Sequence, residues 1–231
     1  MKPSLRFVRL SGLPIFRQLQ LEEVLMRHDD QNYCLFNSVP PEAPRSAQAF
    51  VVTGLGGKIP ELVEEERARR DKVPVIRRYT GGGTVVVDDN TVFVTFIMNK
   101  AAHPDVPSFP RNIMDWSTNI YGPVFDGITK NSFEKLQFAL RENDYVFGER
   151  KIGGNAQAIT KDRWVHHTSF LWNFDPENMK YLLMPKKRPK YRADRDHNSF
   201  ISKISDFGVQ IPSFHDGIKQ RCTELYDVQE I

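Results

Sequence analysis

The chain has 231 residues, of which 40% are apolar, 26% charged and 11% aromatic, the composition of an ordinary globular enzyme. This composition excludes a disordered, fibrous or collagen-like protein. The sequence contains no run of about 18 apolar residues, the length that a membrane span needs, so a membrane partner is not expected. Two cysteines are too few for a disulfide framework or a four-thiolate zinc site. A net charge of +3, with a pI near 8.8, is too small to indicate a nucleic-acid partner.

The first 21 residues contain basic residues and no acid, a composition shared with mitochondrial presequences. Apolar runs within residues 5–16 instead favour strand or core material in a folded N-terminal segment. In the helix that is predicted next, Leu21 and Val24 share one face, so we expect both in the core. Glu22 and Glu23 are then expected to point to solvent.

Most of the remaining chain alternates apolar runs with turn residues, which is typical of strands joined by tight turns. Two of these runs flank Asp89-Asn90, a two-residue connection that favours a β-hairpin. The predicted strands cover residues 33–37, 49–53, 84–88, 91–98, 144–147, 151–159 and 164–172.

Helices are predicted between and after these strands. The charged residues 61–70 form one, and the spacing of Ile113, Trp116 and Ile120 indicates another, which Gly122-Pro123 should kink or end. Residues 213–228 are predicted as a closing helix with Ser213 as its cap. Together these elements predict an α+β fold, a mixed and largely antiparallel sheet flanked by helices.

The most informative stretch is residues 77–88, RRYTGGGTVVVD. Successive glycines permit positive φ and let a ligand approach the main chain without a Cβ in the way. Backbone N–H groups in such a turn can converge on an anion, and Arg77 and Arg78 add charged donors. A flexible connector with two solvated arginines is the alternative. The stretch is neither a P-loop nor a dinucleotide-binding motif, because the required glycine and lysine spacings are absent.

A second stretch, residues 149–158, reads ERKIGGNAQA and places Lys151 beside small residues at the start of a predicted strand. A lysine there can reach over the glycines and neutralise a phosphate or polarise a carboxyl oxygen. A surface lysine before a β-bulge is the alternative. The two stretches together are far more specific than either one.

With Asn143-Asp144 and residues 161–168, these stretches make the chain resemble a lipoate–protein ligase, in the superfamily of biotin–protein ligases and octanoyltransferases. The resemblance implies a single catalytic domain over residues 1–231, related to the catalytic domains of class II tRNA synthetases and biotin ligases. It implies that lipoate and ATP, with Mg²⁺, give lipoyl-adenylate, and that the lipoyl group passes to a lysine of a lipoyl domain. The implied acceptors are acidic lipoyl domains of 2-oxoacid dehydrogenase E2 subunits and the glycine-cleavage H protein.

The resemblance also implies residue roles. Lys151 would be the catalytic lysine, contacting the activated carboxyl and the α-phosphate, and Asp144 would lie near the metal. His167 would close the apolar pocket for the lipoyl tail. The residues implied to contact lipoyl-adenylate or ATP are Arg78, Thr80, Gly81, Gly82, Gly83, Val87, Asn143, Asp144, Gly153, Asn155, Ala156 and His167.

The chain departs from the family pattern at a few points. Val87 stands where the family often has His, so we expect it to add apolar wall, and Ala158 replaces an Arg. The C-terminal accessory domain of the two-domain bacterial ligases has no counterpart in these residues. Either a single domain works alone, or a separate accessory polypeptide supplies the missing part. The lipoyl-dependent complexes lead us to expect the mitochondrial matrix in a eukaryote and the cytoplasm otherwise.

Two other functions remain open at this point. An octanoyl- or lipoyl-transferase without ATP would need a thiolate near Lys151, and Cys34 and Cys222 are both distant from it in sequence. A nucleic-acid binder would use the basic residues 186–192, although charge runs are usually solvated faces. For a ligase, residues 186–195 are instead expected to be a docking face for the acidic acceptor.

Overall fold

The computed structural model of the chain describes residues 2–46, 48–129, 137–186 and 188–231. Within these ranges the strands form one nine-stranded and one three-stranded sheet. In chain order the strands are β1 (Ser4–Ser11), β2 (Tyr33–Ser38), β3 (Phe50–Thr53), β4 (Val75–Arg77), β5 (Gly81–Gly82), β6 (Val85–Val87), β7 (Val92–Asn99), β8 (Phe138–Arg141), β9 (Asp144–Phe147), β10 (Arg150–Ile159), β11 (Arg163–Phe170) and β12 (Asp227–Glu230).

The helices pack on both sides of the larger sheet. The α-helices are α1 (Ile15–His28), α2 (Ile59–Leu62), α3 (Glu65–Arg70), α4 (Pro110–Thr129), α5 (His197–Phe200) and α6 (Ile211–Leu225). Short 3₁₀ turns cover Lys100–Ala102, Pro176–Tyr181, Lys190–Arg192 and Ile204–Phe207. Among the described residues, no helix combines the length and apolar character that crossing a membrane requires.

The larger sheet has the strand order β12-β1-β2-β7-β11-β10-β9-β8, and the two-residue strand β5 adds to β10. β1 pairs in parallel with β12 and β2, and every other pair in this sheet is antiparallel. The prediction of a mixed, largely antiparallel sheet flanked by helices is therefore confirmed. β7 lies near the centre and is apolar almost throughout, because both of its faces are covered.

The two faces of the larger sheet have different partners. On one face, α4 and α6 pack on aromatic side chains of the sheet that include Phe96 and Phe170, and Phe214 of α6 contacts the Phe170 ring. On the other face lie α1 and the smaller sheet, of order β4-β3-β6, joined to the larger sheet by a cluster that contains Ile15 and Val87. Val87 thus forms part of an apolar wall, in agreement with its expected character.

The predicted hairpin at Asp89-Asn90 is wrong. The turn itself forms, since the Thr91 amide donates to the Asp88 carbonyl at 3.0 Å and the Asn90 amide donates to the Asp88 carboxylate at 2.9 Å. The strands on either side then separate, because β6 pairs with β3 and β7 pairs with β2 and β11. A tight turn reverses the chain locally, and burial of the flanking strands decides which partners they take.

Three helix predictions also need correction. The predicted helix 61–70 is interrupted between α2 and α3, where Val63 forms a β-bridge to Leu182. Of the two outcomes predicted at Gly122-Pro123, a kink or an end, the end is wrong: helix α4 continues six residues beyond Pro123, because its next turn, with Val124 and Phe125, is anchored in the core. Helix α6 begins at Ile211, before the predicted cap Ser213, and it ends at Leu225, so that residues 227–230 form β12 instead.

Candidate active site

Lys151 lies at the start of β10 and forms an ion pair with Asp144 of the neighbouring strand β9. Its Nζ is 2.7 Å from Asp144 Oδ1, and the two side chains are 21% and 8% exposed. A β-bulge between Lys151 and Gly153 shifts the register at this point. Gly154 leaves space for the lysine, since a Cβ there would lie 3.2 Å from Nζ. The ammonium group is therefore held over a backbone that carries no side chain.

The second carboxylate oxygen of Asp144 is also engaged. The hydroxyl of Tyr191 donates to Asp144 Oδ2 at 2.9 Å. Burial and the nearby negative charge of Asp144 raise the pKa of Tyr191, so the phenol keeps its proton and acts as a donor. Asp144 thus links β10 to the basic segment, residues 185–197. Tyr191 was predicted only as part of the basic residues 186–195, and its contact with Asp144 carries no local signal because the two residues are 47 positions apart.

The glycine stretch is pressed against β10. Gly81 and Gly82 form β5, opposite Gln157 and Ala156. Gly82 has φ +123°, and a Cβ there would lie 2.7 Å from both Asn155 O and Arg78 Nη2. Close backbone packing therefore requires a glycine at position 82, whereas a Cβ on Gly83 would meet no atom within 4 Å. A Cβ on Gly81 would lie 3.6 Å from Gln157 O, an ordinary contact, so Gly82 is the one of the three that close backbone packing requires to be glycine.

Arg78 is buried beneath this glycine stretch, with 5% of its surface exposed. Its guanidinium donates to Gly83 O at 2.6 Å and to Val52 O at 3.3 Å. Burial lowers the pKa of Arg78 to about 10, and the Glu22 carboxylate partly opposes this shift, so Arg78 remains a cation. Its Nε and the hydroxyls of Thr80 and Thr84 are buried without a partner in the protein. Buried polar atoms of this kind are normally satisfied by a ligand group or an ordered water.

His167, which was expected to close an apolar pocket, takes part in a buried polar network with Glu22, which was expected to point to solvent. Its Nδ1 donates to Glu22 Oε1 at 2.8 Å, and the same oxygen accepts from Thr95 Oγ1 at 2.7 Å and Gln18 Nε2 at 2.8 Å. Glu22 is fully buried, whereas Val24, predicted to face the core, is 54% exposed. Three donors on α1, β7 and β11 compensate the buried carboxylate, so the helix can turn this face inward.

The signal for this orientation was present in the sequence. The buried residues of α1 follow the helical spacing that starts at Ile15, and they are Ile15, Gln18, Leu19, Glu22 and Met26. Counting from Leu21 and Val24 gave the wrong phase. Because Gln18 and Glu22 are polar, a search for apolar periodicity passes over them.

Several residues that were predicted to contact lipoyl-adenylate or ATP lie on the face of the larger sheet opposite to His167. Paired residues of antiparallel strands share a face, so Ala156 and His167 lie on the α1 side, while Asn155 and Thr168 lie on the α4 side. Asn155 accepts from Thr168 Oγ1 at 3.1 Å and donates to Asn143 O at 3.2 Å. Asn143 contributes its carbonyl there, and its side chain is in an exposed turn.

Gly153 also belongs to the opposite side. A Cβ at Gly153 would lie 3.1 Å from the Phe170 ring, so this glycine makes room for the aromatic core. It takes no direct part in the cluster around Lys151.

The geometry gives no support for Asp144 as a dedicated metal ligand. Its two oxygens are bound by Lys151 and Tyr191. Within the described ranges, no group of three His, Cys, Asp or Glu side chains could hold a metal ion. A Mg²⁺ ion would have to share the Asp144 carboxylate with Lys151 and Tyr191 and would depend on substrate phosphates and water for its other ligands.

Neither cysteine reaches this site. Cys34 and Cys222 are both fully buried in the aromatic core between the larger sheet and α6. Burial raises the pKa of the Cys34 thiol well above its usual value, which disfavours a thiolate. A cysteine thioester beside Lys151 is therefore incompatible with this structure.

Comparisons with known proteins bear on the family and the fold of this chain. The family model of the lipoyl protein ligase A/B catalytic domain matches residues 14–225. A Plasmodium falciparum (isolate 3D7) protein named Inactive lipoate–protein ligase 2 is 29% identical over 242 residues, an alignment that covers 87% of this chain. The chain spans 63% of the length of that relative.

Solved structures show the same fold. The bipartite lipoate protein ligase of Thermoplasma acidophilum, studied with its E2 lipoyl domain, has a TM-score of 0.70 at 19% identity and covers all of this chain and 88% of its own. A lipoate-protein ligase A bound with ATP has a TM-score of 0.68 at 18% identity and covers all of this chain and 90% of its own. With the family match over most of its length, this chain belongs to the lipoyl protein ligase A/B catalytic domain family.

Proposed function

We propose that this protein is an ATP-dependent lipoate–protein ligase, which activates lipoate as lipoyl-adenylate and transfers the lipoyl group to a lysine of a lipoyl domain. The observation that carries the proposal is the Lys151 ammonium, fixed by Asp144 and held over Gly154 on the strand that pairs with the glycine stretch. Family membership supports the lipoyl chemistry. The relative that was solved with bound ATP supports ATP as the nucleotide substrate.

In the first step, a lipoate carboxylate oxygen attacks the α-phosphorus of ATP, and the bond to the β-phosphate breaks to release pyrophosphate. Negative charge accumulates on the α-phosphate oxygens, where a fixed cation stabilises it. Lys151 is placed for this role, because its ammonium donates and cannot accept. Arg78, a cation with a free Nε, supplies a second donor under the glycine stretch.

In the second step, the neutral amine of the acceptor lysine attacks the acyl carbonyl, AMP leaves, and the amine loses a proton. The same ammonium can polarise the carbonyl oxygen of the adenylate, so one lysine serves both steps. His167 contacts Phe93 of the apolar cluster that contains Val87, and an eight-carbon tail bound against this cluster would be kept from water. Each buried methylene would contribute about 0.8 kcal/mol.

We propose acidic lipoyl domains, of E2 subunits and the H protein, as acceptors. The E2 lipoyl domain studied with the Thermoplasma ligase supports this class of partner. Lys186 is 84% exposed and Arg188 37% exposed on the basic segment, which Tyr191 fastens beside Lys151. A third basic residue of the predicted docking face, Lys187, lies outside the described residues.

The test separates the two half-reactions. Lipoate-dependent exchange of labelled pyrophosphate into ATP measures adenylation, and transfer of lipoate from synthetic lipoyl-adenylate to a lipoyl domain measures the second step. We expect the parent protein to perform both, and Lys151→Ala to lower each at least about 1,000-fold while keeping the fold. Lys180→Ala is the matched control, since Lys180 is also paired with an aspartate, Asp71, at 3.6 Å.

The outcomes discriminate between functions. Transfer without exchange would restrict the protein to the second half-reaction, and neither activity in a folded parent would reject the proposal. Normal activity of Lys151→Ala would remove the lysine from the mechanism. An acyl-enzyme trapped on Cys34 or Cys222 would instead favour the ATP-independent transferase.

A further inference from the structure

We propose that Tyr191 is a positioning residue, which holds Asp144 through its hydroxyl and thereby fixes the ammonium group of Lys151. The proposal rests on the proposed function for its kinetic consequences. Its geometric basis is independent of that function. Asp144 accepts Tyr191 Oη on Oδ2 at 2.9 Å and Lys151 Nζ on Oδ1 at 2.7 Å, so both ends of the carboxylate are engaged.

Tyr191 is itself firmly held. Its backbone N–H donates to Glu142 Oε1 at 3.1 Å, and its carbonyl accepts from Arg195. The centroid of its ring lies 5.2 Å from the centroid of the Phe200 ring and 4.8 Å from Cζ of Arg141. These contacts use the backbone and the ring. The hydroxyl is therefore left to one task, the bond to Asp144.

The same segment also fastens the backbone of Lys151. The Ser202 amide donates to Lys151 O at 2.9 Å, and Ile201 bridges Lys151 in parallel. Arg195 Nη1 donates to Glu149 O at 2.8 Å, at the turn before β10. Residues 190–202 thus hold the lysine from its main chain and, through Tyr191 and Asp144, from its charged end.

Fixing Asp144 matters because a lone carboxylate has a broad choice of torsion about its last bond. Without the phenol, the carboxylate could rotate and take the ammonium with it, which would misalign a donor that must meet developing charge. Binding of the lipoyl tail against the apolar cluster that contains Val87 would be unaffected. The predicted effect is therefore on turnover and not on lipoate binding.

Tyr191→Phe removes the hydroxyl and keeps the ring contacts. We expect the kcat of adenylation to fall about ten-fold, the size expected for losing a hydrogen bond to a charged group, with the KM for lipoate within two-fold. The matched control is Tyr181→Phe. Tyr181 also sits on a 3₁₀ turn and donates to an aspartate, Asp71 at 3.1 Å, which is in turn paired with a lysine. Tyr181→Phe should leave the kcat of adenylation and the KM for lipoate unchanged.

A second readout does not depend on activity. Reductive methylation with ¹³C-formaldehyde labels lysines without removing their charge, and Lys151→Arg assigns the Lys151 signal in ¹³C–¹H spectra. We expect Tyr191→Phe to shift this signal and Tyr181→Phe to leave it in place. In an Asp144→Ala background, Tyr191→Phe should produce no further shift and no further loss of kcat.

Each result decides the inference. An unmoved Lys151 signal with unchanged kcat would overturn it, and so would an equal loss in the Asp144→Ala background, because the hydroxyl would then act through packing. If the parent protein lacks adenylation altogether, the proposed function fails, and the ¹³C signal still tests whether Tyr191 positions the lysine.

Discussion

Glu22 and Glu23 are neighbours in the chain with opposite surroundings. Glu22 is fully buried and accepts from Gln18, Thr95 and His167, whereas the Glu23–Arg27 pair is largely exposed, at 40% and 57%. Removing one member of a buried network leaves its partners unsatisfied. An exposed ion pair in water contributes little.

Glu22→Ala should therefore lower the free energy of unfolding by about 3 kcal/mol, and Glu23→Ala by less than about 1 kcal/mol. Urea denaturation monitored by tryptophan fluorescence measures both. Equal losses for the two variants would contradict the assignment of Glu22 to the buried network.

His166 faces the side of the sheet opposite to its neighbour His167. Gln157 Nε2 donates to His166 Nδ1 at 2.9 Å, so this nitrogen accepts and carries no proton, and Nε2 bonds Tyr145 at 3.0 Å. Desolvation, with a smaller contribution from the charge of His167, lowers the pKa of His166 to about 3. The ring therefore stays neutral in the folded protein at pH values where an exposed histidine is charged.

This shift has a defined effect on stability. Below a pH of about 6.5 the unfolded chain takes up a proton at His166 that the folded protein does not. The free energy of unfolding therefore decreases as the pH is lowered, until the pH approaches the pKa of His166 in the folded protein. Its share of the slope is about 1.4 kcal/mol per pH unit at most. We expect His166→Asn to flatten the dependence of the unfolding free energy between pH 6 and about 4 by this amount. An unchanged slope in urea titrations would contradict the neutral state.

At the level of elements, the glycine stretch contains two adjacent residues, Gly82 and Gly83, whose surroundings differ in the space left for a side chain. Gly82 combines φ +123° with a Cβ position 2.7 Å from Asn155 O, whereas Gly83 has open space. Gly82→Ala should strain the backbone and separate β5 from β10, at a cost of about 2 kcal/mol or more, with adenylate binding lost. Gly83→Ala should keep the stability of the parent. Calorimetric titration with a non-hydrolysable lipoyl-adenylate analogue and thermal unfolding test the pair.

The outcome would differ if the glycines served only ligand access. In that case the contrast disappears, and both Gly82→Ala and Gly83→Ala would lose adenylate binding at the stability of the parent. Such a result would return the stretch to the role first expected from its sequence.

Sequence predicted the elements better than their partners. β9, β10 and β11 follow from apolar runs divided by polar turns, and their antiparallel order follows from the shortness of those turns. The Asp89-Asn90 turn was equally clear, yet β6 and β7 joined different sheets, since the burial that decides partners is a long-range property. The site divides in the same way. Lys151 and the glycine stretch carry local signals, whereas Glu22 and Tyr191 acquire their roles from residues 145 and 47 positions away.

At the scale of the whole molecule, the small net charge hides a basic segment beside the candidate active site. Reversing charge with Lys186→Glu and Arg188→Glu should raise the KM for the acceptor about ten-fold and leave pyrophosphate exchange intact. It should also flatten the dependence of transfer on ionic strength, because screening acts over about 8–10 Å. Transfer assays at several salt concentrations measure this.

The control is Lys219→Glu with Arg221→Glu on α6, which packs on the opposite face of the larger sheet. It changes the net charge equally and should leave acceptor kinetics unchanged. A loss of exchange in the Lys186 and Arg188 variant would instead mean that the segment serves the nucleotide.

The candidate active site draws its parts from α1, the glycine stretch, the β9–β10 pair and residues 190–202, four stretches separated by long intervals of chain. Each contact between them closes a large loop, whose entropic cost is met before the contact gives any return, and such contacts form slowly. The tryptophans lie in the aromatic core on the other side of the sheet, among contacts made by α4 and α6. Tryptophan fluorescence therefore reports the formation of this core and not of the site, so that a refolding experiment needs the capture of lipoyl-adenylate as a second signal for the return of the active site.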